Sequence, residues 1–253
     1  MKGGEKSELS LYGTATGVRA IENPVRRHIL EILRGGEVSF DALVGSSGRA
    51  KSTISAHLSA LAEEGIVASR PGDDDERKKI FFLTSHFIGE FAPGDRISDD
   101  LSEYASKYRE GTLDPFDLYR LMYRTLRVSL LIEGISIDPF LRRTGEAVGE
   151  AVYPAVAAPD LESFLDNLIV FWERHRLGRI SDITLSPISF AVYDCFECVE
   201  LPHLGRPACS FDSGLLSVLF SRQSGRLMEA VERKCYAAGD PCCTFEIVPV
   251  PEK

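Results

Sequence analysis

Cysteine is absent from the first 194 residues of this 253-residue chain. Any thiol or thiolate–metal chemistry therefore belongs to the last quarter, where Cys195, Cys198, Cys209, Cys235, Cys242 and Cys243 fall within 49 residues. No segment approaches the roughly 18 to 20 consecutive apolar residues of a membrane span, so a membrane is excluded as a partner. Residues 1–8 lack the apolar core of a signal peptide, and a cytoplasmic protein is expected. Positive charge is in deficit, with 29 Lys+Arg against 38 Asp+Glu and a net charge of -9. The deficit is uneven: residues 1–90 carry 12 against 13, a net of -1, and residues 91–253 carry 17 against 25, a net of -8. Only the first part can approach a polyanion such as DNA without strong repulsion. No glycine-rich nucleotide loop follows a strand, no nucleophile motif is present, and His175 and His203 are isolated, which argues against an enzyme. There is no internal repeat or low-complexity tract. A hydrophobic content of 44% excludes disorder as the main state, and the length suits two domains.

The first domain, residues 1–85, reads as three helices and a wing. Val25, Ile29, Ile32 and Leu33 repeat with the spacing of one buried helix face, with Asn23 as N-cap, Pro24 at the first helical position and Gly35-Gly36 as the stop. A short second helix is expected from Ser39 to about Ser46, burying Phe40, Leu43 and Val44. Ile54, Leu58, Leu61 and Ala62 mark the inner face of a third, from about Ala50 to Glu64. Its outer face carries Lys51, Ser52, Thr53, Ser55 and His57, with Arg49 just before it. A recognition helix presents its N-terminal residues to base edges in the major groove, small hydroxyls allow close approach, and Arg49 and Lys51 can neutralise phosphates. Residues 66–70 and 77–83 alternate as two strands around an acidic turn, and Arg70, Arg77, Lys78 and Lys79 can follow the DNA backbone.

The segments Glu22–Leu33, Lys51–Leu61 and Glu64–Val67 resemble the winged helix-turn-helix of ArsR-type regulators, a likeness covering about residues 15–85. It implies binding to double-stranded promoter DNA. Asp73, Asp74, Asp75 and Glu76 depart from what a phosphate-contacting wing tip needs, so the tip either stays away from DNA or weakens binding. The family's recognition-helix thiolates are missing here, and sensing must lie elsewhere in the chain.

Residues 86–112 are expected to form a helical linker, with Ser98–Arg109 ordered acid-first and base-last as suits a helix dipole, carrying part of a dimer contact. The second domain, 113–253, interleaves helices and strands. Helices are expected over Pro115–Leu126, burying Leu118, Leu121, Met122 and Leu126; over Pro139–Tyr153, with Gly145 and Gly149 permitting close packing; from Leu161 to near Gly178, with Trp172 in the core; and over Phe211–Ser221. Residues 128–137 read as a strand or buried hairpin. Strands are expected over Ile188–Tyr193, Arg226–Tyr236 and Cys242–Val250. The whole is α+β, a winged helix-turn-helix followed by a mixed α/β sensor domain.

Cys195-Phe-Glu-Cys198 is a C-x-x-C at a strand end, able to share a metal or close a small disulfide. Residues 209–216, Glu232-Arg-Lys-Cys235 and Gly239-Asp-Pro-Cys-Cys-Thr-Phe-Glu246 resemble the 4-vinyl reductase domain, best over residues 186–250. In its aromatic-sensing branch zinc is held by Cys, Glu, Cys and Cys, and the resemblance implies Cys209, Glu232, Cys235 and Cys243 as ligands of a structural zinc here. A regular strand would turn Glu232 and Cys235 to opposite faces, so this site needs a bulge or strand end between them. Cys242 can replace Cys243 or pair with another thiol. An ArsR-type winged helix joined to this domain resembles the methanogen redox regulators of the MsvR group. That resemblance implies a homodimer that binds DNA when reduced and reports oxidation through cysteine, with Cys195, Cys198, Cys209, Cys235, Cys242 and Cys243 as redox candidates. A competing reading makes the second domain a small-molecule effector receptor, its pocket lined by residues such as Phe171, Trp172 and Phe190. A vinyl-group reductase is the weakest reading.

Overall fold

The computed structural model describes residues 8–72, 75, 78–91, 101 and 115–251. The chain divides into two compact units, Met1–Asp95 with Gly134–Ser136, and Arg96–Glu133 with Ile137–Lys253.

In the first unit, helix α1 (Pro24–Arg34) begins where Asn23 accepts hydrogen bonds from the Val25 and Arg26 amides at 3.0 and 3.2 Å. Helix α2 (Phe40–Ser47) is capped by Ser39 and ended by Gly48 at φ 60°, and helix α3 (Lys51–Glu63) stops before Gly65 at φ 71°. Ile29, Leu30, Leu33, Leu43, Ile54, Leu58 and Leu61 share one core with Phe81. Ala62, expected on the buried face, is exposed because it lies one step past the edge of the stripe set by Ile54, Leu58 and Leu61. Strands β4 (Val67–Pro71) and β5 (Lys79–Leu83) form the wing, with β3 (Val38–Ser39) on the far side of β5. Asp73, Asp74, Glu76 and Arg77 of the expected wing tip lie outside the described residues.

A second sheet in this unit was not legible from the sequence. Strands β1 (Leu9–Thr14) and β2 (Gly17–Ile21) form a hairpin, β6 (His86–Phe91) pairs with β1, and β7 (Ile135–Ser136) completes the order β2-β1-β6-β7. Residues 86–91, expected in a helical linker, are thus a strand: Phe87 is buried against Tyr12 with ring centroids 5.3 Å apart. The remainder of that expected linker, Leu101 apart, lies outside the described residues.

The second unit has an antiparallel sheet in the order β10-β11-β9-β8: β8 (Arg179–Leu185), β9 (Ile188–Tyr193), β10 (Met228–Lys234) and β11 (Cys243–Pro249). Its helices are α4 (Pro115–Ile132), α5 (Asp138–Val156), α6 (Leu161–Arg174) and α7 (Ser210–Ser224). Helix α7 is buried over most of its length, and Phe220 meets Phe164 edge-on at 5.1 Å and Phe190 at 6.1 Å. Helices α5 and α7 touch backbone to backbone, as the two glycines of α5 suggested. A Cβ on Gly145 would stand 2.0 Å from the Phe211 carbonyl oxygen.

Helix α4 overturns two expectations. It continues to Ile132 rather than ending near Leu126, so 128–132 is helix and not strand. Its buried face carries Arg124, Arg127, Val128 and Leu131, while Leu118, Met122 and Leu126 are exposed. Apolar and basic residues recur along α4 with the same helical period, and periodicity alone does not say which stripe turns inward. The partners that draw the arginines in come from the loop after β9. No helix among the described residues is long and apolar enough to cross a membrane.

Candidate functional site

Five of the six thiols meet in one buried cluster. Cys195 follows the end of β9, Cys198 lies in the turn after it, and Cys209 is the N-cap residue of α7. Cys235 follows the end of β10 and Cys243 opens β11. The sulfurs of Cys195 and Cys209 are 3.5 Å apart, those of Cys198 and Cys243 3.1 Å, and those of Cys209 and Cys243 3.6 Å. Cys235 lies 3.9 Å from Cys209 and 3.6 Å from Cys198. All five are buried.

The sheet register brings Glu232 into the same place. The pairing of β10 with β11 shifts between Glu232 and Lys234, and the strand ends before Cys235. This irregularity turns both side chains toward Cys209, as the spacing required. One Glu232 carboxylate oxygen accepts from the Cys209 amide at 2.8 Å, whereas Oε1 is buried with no hydrogen-bond partner. Asp212, in the first turn of α7, is fully buried; its Oδ2 lies 3.5 Å from the Cys195 sulfur and its Oδ1 has no partner.

Two overlapping ligand groups result, Cys195, Cys198, Cys209 and Cys243, and Cys209, Glu232, Cys235 and Cys243, each with donor atoms within 4.8 Å of one another. A tetrahedral zinc ion with Zn–S bonds of about 2.3 Å needs ligand sulfurs about 3.8 Å apart. Most of the observed separations lie close to that edge. The charge also fits a cation. Without one, the thiols share protons: hydrogen bonds from Cys198 and its neighbours hold Cys195 and Cys235 below the ordinary thiol range, and Cys198 and Cys243 are pushed above it, chiefly as the partners of Cys195. Burial raises Cys209 and Asp212, and raises Glu232 to about 9. A divalent ion replaces those protons.

Cys242 stays out of the cluster. Its sulfur faces Thr244 Oγ1 at 3.9 Å, on the side of the strand opposite to Cys243. Neighbouring residues of a strand point to opposite faces, so Cys242 does not stand in for Cys243.

The residues that hold the cluster were not singled out from the sequence. Glu197, between the two cysteines of the C-x-x-C, is fully buried and accepts from the Phe211 and Asp212 amides, both at 3.1 Å, thereby capping α7 in place of Cys209. The Arg127 guanidinium donates to Glu197 at 3.0 Å and to Asp138 at 2.8 Å. Arg124 donates to the carbonyls of Phe196 at 2.9 Å and Cys195 at 3.0 Å, and pairs with Glu200. Burial raises the Glu197 carboxyl to about 7, against the opposing pull of Arg127. Arg120, Arg124 and Arg127, spaced i, i+4 and i+7 on α4, were the available signal.

Trp172 and Phe190, expected to line an effector pocket, are closed inside the core at 0% exposure, with Phe171 partly buried beside them.

In the first unit, Arg49, Lys51, Ser52, Thr53 and Ser55 are exposed and His57 is half-buried. Ala50, the N-cap residue of α3, offers no side-chain hydrogen bond to the helix, so the first amides are left for another acceptor. Lys51 pairs with Asp41 at 3.0 Å and Arg70 with Glu37 at 2.8 Å. Lys78 and Lys79 are exposed on the wing, and Arg77 lies outside the described residues.

Comparison with known proteins places both units. Residues 23–69 match the family model "Bacterial regulatory protein, arsR family", and residues 188–249 match the model of the 4-vinyl reductase domain. Two uncharacterized proteins of Methanocaldococcus jannaschii are similar. MJ1642 is 32% identical over 77 residues, 30% of this chain and 48% of its own length. MJ0150 is 23% identical over 151 residues, 59% of this chain and 84% of its own. The chain thus spans about half the length of the first relative, 48%. Among solved structures, a vinyl-4-reductase family protein from M. jannaschii aligns with a TM-score of 0.36 and 15% identity, covering 61% of this chain and 98% of that one. The phenol-responsive sensory domain of the transcription activator PoxR, with phenol, aligns with a TM-score of 0.36 and 15% identity, covering 76% and 88%. The chain carries an ArsR-type helix-turn-helix domain and a 4-vinyl reductase domain, an MsvR-like architecture. These are regulator-type domains, and the chain is not an enzyme.

Proposed function

We propose that this DNA-binding regulator is redox-responsive: residues 1–85 grip double-stranded promoter DNA as a homodimer, 86–112 connect, and 113–253 sense oxidation through the thiol cluster. The observation that carries this reading is five buried thiols, each within 3.1 to 3.9 Å of another, in the unit that matches the 4-vinyl reductase domain. Two thiols brought together can form one disulfide; with hydrogen peroxide as oxidant, they give up two protons and two electrons and the peroxide leaves as two waters. Cys198 and Cys243 are the nearest pair. A disulfide there draws the turn after β9 toward β11 and disturbs the cap that Glu197 gives α7.

Arg49, Lys51, Ser52, Thr53, Ser55 and His57 serve as the reading face, with Arg70, Arg77, Lys78 and Lys79 along the backbone. Two copies present two α3 helices, and half-sites must lie about one helical turn apart, so a modest rotation between copies abolishes simultaneous contact. Zinc, held by Cys209, Glu232, Cys235 and Cys243, supplies structural cross-linking and keeps those thiols as thiolates.

The test is promoter-fragment binding measured with reductant, after diamide or peroxide, and after reductant is restored. Binding is expected to fall at least tenfold on oxidation and to return. Binding that ignores oxidant but responds to an added aromatic would replace this reading with the small-molecule effector one.

A further inference from the structure

The number of donors in the thiol cluster exceeds what one ion can use. We infer that the centre holds two divalent ions, bridged by the thiolates of Cys209 and Cys243. This rests on the reading that the cluster binds a divalent metal, and goes beyond the single zinc that the Cys209, Glu232, Cys235 and Cys243 set describes.

The two ligand groups share Cys209 and Cys243, whose sulfurs are 3.6 Å apart. Two tetrahedra that share an edge need two bridging donors and two terminal donors on each side. A thiolate sulfur has lone pairs enough to bridge. Cys195 and Cys198 are then terminal ligands of one ion, and Glu232 and Cys235 of the other. No donor is left over and none is missing.

A single ion does not discharge this site. If it takes the Glu232 group, Cys195 and Cys198 remain buried beside a thiolate-rich centre; if it takes the other, Glu232 and Cys235 do. The nearby buried cations do not compensate for either pair. Arg127 is turned to Glu197, Asp138 and the Ala208 carbonyl, and Arg124 to Glu200 and the carbonyls of Cys195 and Phe196. A buried charge without a partner is costly, and a second cation is the remaining source of compensation. An independent feature lies on the Cys195 side. Asp212 is wholly buried, one oxygen has no partner, and its carboxylate, Cys209 and Glu197 lie within 4.8 Å of one another. That orphaned oxygen belongs to the Cys195 side, where the second ion sits, while the orphaned Oε1 of Glu232 serves the first. An iron–sulfur cluster is disfavoured by the same distances, because inorganic sulfides would have to fit between cysteine sulfurs only 3.1 to 3.9 Å apart.

The experiment uses the full chain, loaded with zinc, cobalt(II) or cadmium-113 and dialysed against a weak chelator. Elemental analysis is expected to give two zinc ions per chain. Cobalt(II) is expected to show thiolate charge-transfer absorption that grows through two equivalents, with the paramagnetic resonance signal of the first equivalent falling as the second enters, because a thiolate bridge couples the two spins. Cadmium-113 is expected to give two coupled resonances. The C195S/C198S variant is expected to bind one ion, half the wild-type content. One ion per chain with a single cadmium resonance overturns the two-ion centre and leaves the mononuclear site standing. No bound metal overturns both. Iron with acid-labile sulfide, or two ions retained in C195S/C198S, also overturns it. The wild-type cobalt and cadmium spectra decide the matter without the variant should that variant fail to fold.

Discussion

The guanidinium of Arg127 and the carboxylate of Glu197 meet at 3.0 Å with their side chains at 3% and 0% exposure. This pair ties helix α4 to the C-x-x-C turn and, through the amides that Glu197 accepts, to the start of α7. Its worth is less in attraction than in what its loss leaves behind. Breaking a buried ion pair from one side costs about 3 to 5 kcal/mol because the other charge stays inside. Arg127→Met is therefore expected to lower the unfolding free energy of the second unit by about that amount, read from urea denaturation followed by circular dichroism. A change under about 1 kcal/mol would mean the pair does not hold the turn.

Gly145 permits the contact between α5 and α7, where a Cβ would sit 2.0 Å from the Phe211 carbonyl oxygen. Backbone is the obstacle, so no side chain can swing away. Gly145→Ala is expected to cost about 3 kcal/mol and to shift Cys209 and Asp212 with the start of α7. Gly45 offers a contrast: it lies within α2, and a Cβ there would meet nothing within 4 Å. Gly45→Ala is expected to stabilise the first unit by about 0.5 to 1 kcal/mol, measured in the same way.

Lys51 is held by Asp41 at 3.0 Å on the face assigned to DNA. Lys51→Ala is expected to weaken promoter binding and to reduce the slope of log K against log salt by about 1. Asp41→Ala removes an acid from the same surface and frees the lysine, so tighter binding is expected, most clearly at low salt. Fluorescence anisotropy across a salt series checks both. Equal affinity in the two variants would show that α3 does not face the phosphates.

Cys242 and Cys243 are neighbours with opposite surroundings. Cys242→Ser is expected to leave both metal content and the oxidant response unchanged, since its sulfur meets only Thr244 within the described contacts. Cys243→Ser removes a sulfur that lies 3.1 Å from Cys198 and 3.6 Å from Cys209. It is expected to lower metal content and to abolish reversible loss of DNA binding. Elemental analysis and gel-shift titration before and after diamide separate the two variants, and a Cys242→Ser protein blind to oxidant would reassign the sensor.

The winged helix was legible because its signals are local. Asn23 before Pro24, Ser39 before α2, and Gly48 and Gly65 after α2 and α3 punctuate helices whose apolar stripes repeat at the helical period. Strand β8 escaped notice because Asp182 at φ 54° and a register shift between Ser181 and Thr184 break its alternation. The hairpin of β1 and β2 escaped because its burial depends on β6, more than sixty residues later.

Sequence alone determined the helices of the reading head, the gathering of every cysteine at the far end, and the need for an irregular strand between Glu232 and Cys235. Tertiary structure alone decided that α4 buries its arginines rather than its leucines, that Cys243 rather than Cys242 faces inward, and that Glu197 and Asp212 stand beside the thiols. The reason is physical: caps and periodicity act within a few residues of chain, whereas the direction a charged or thiol side chain takes depends on partners that only folding brings near.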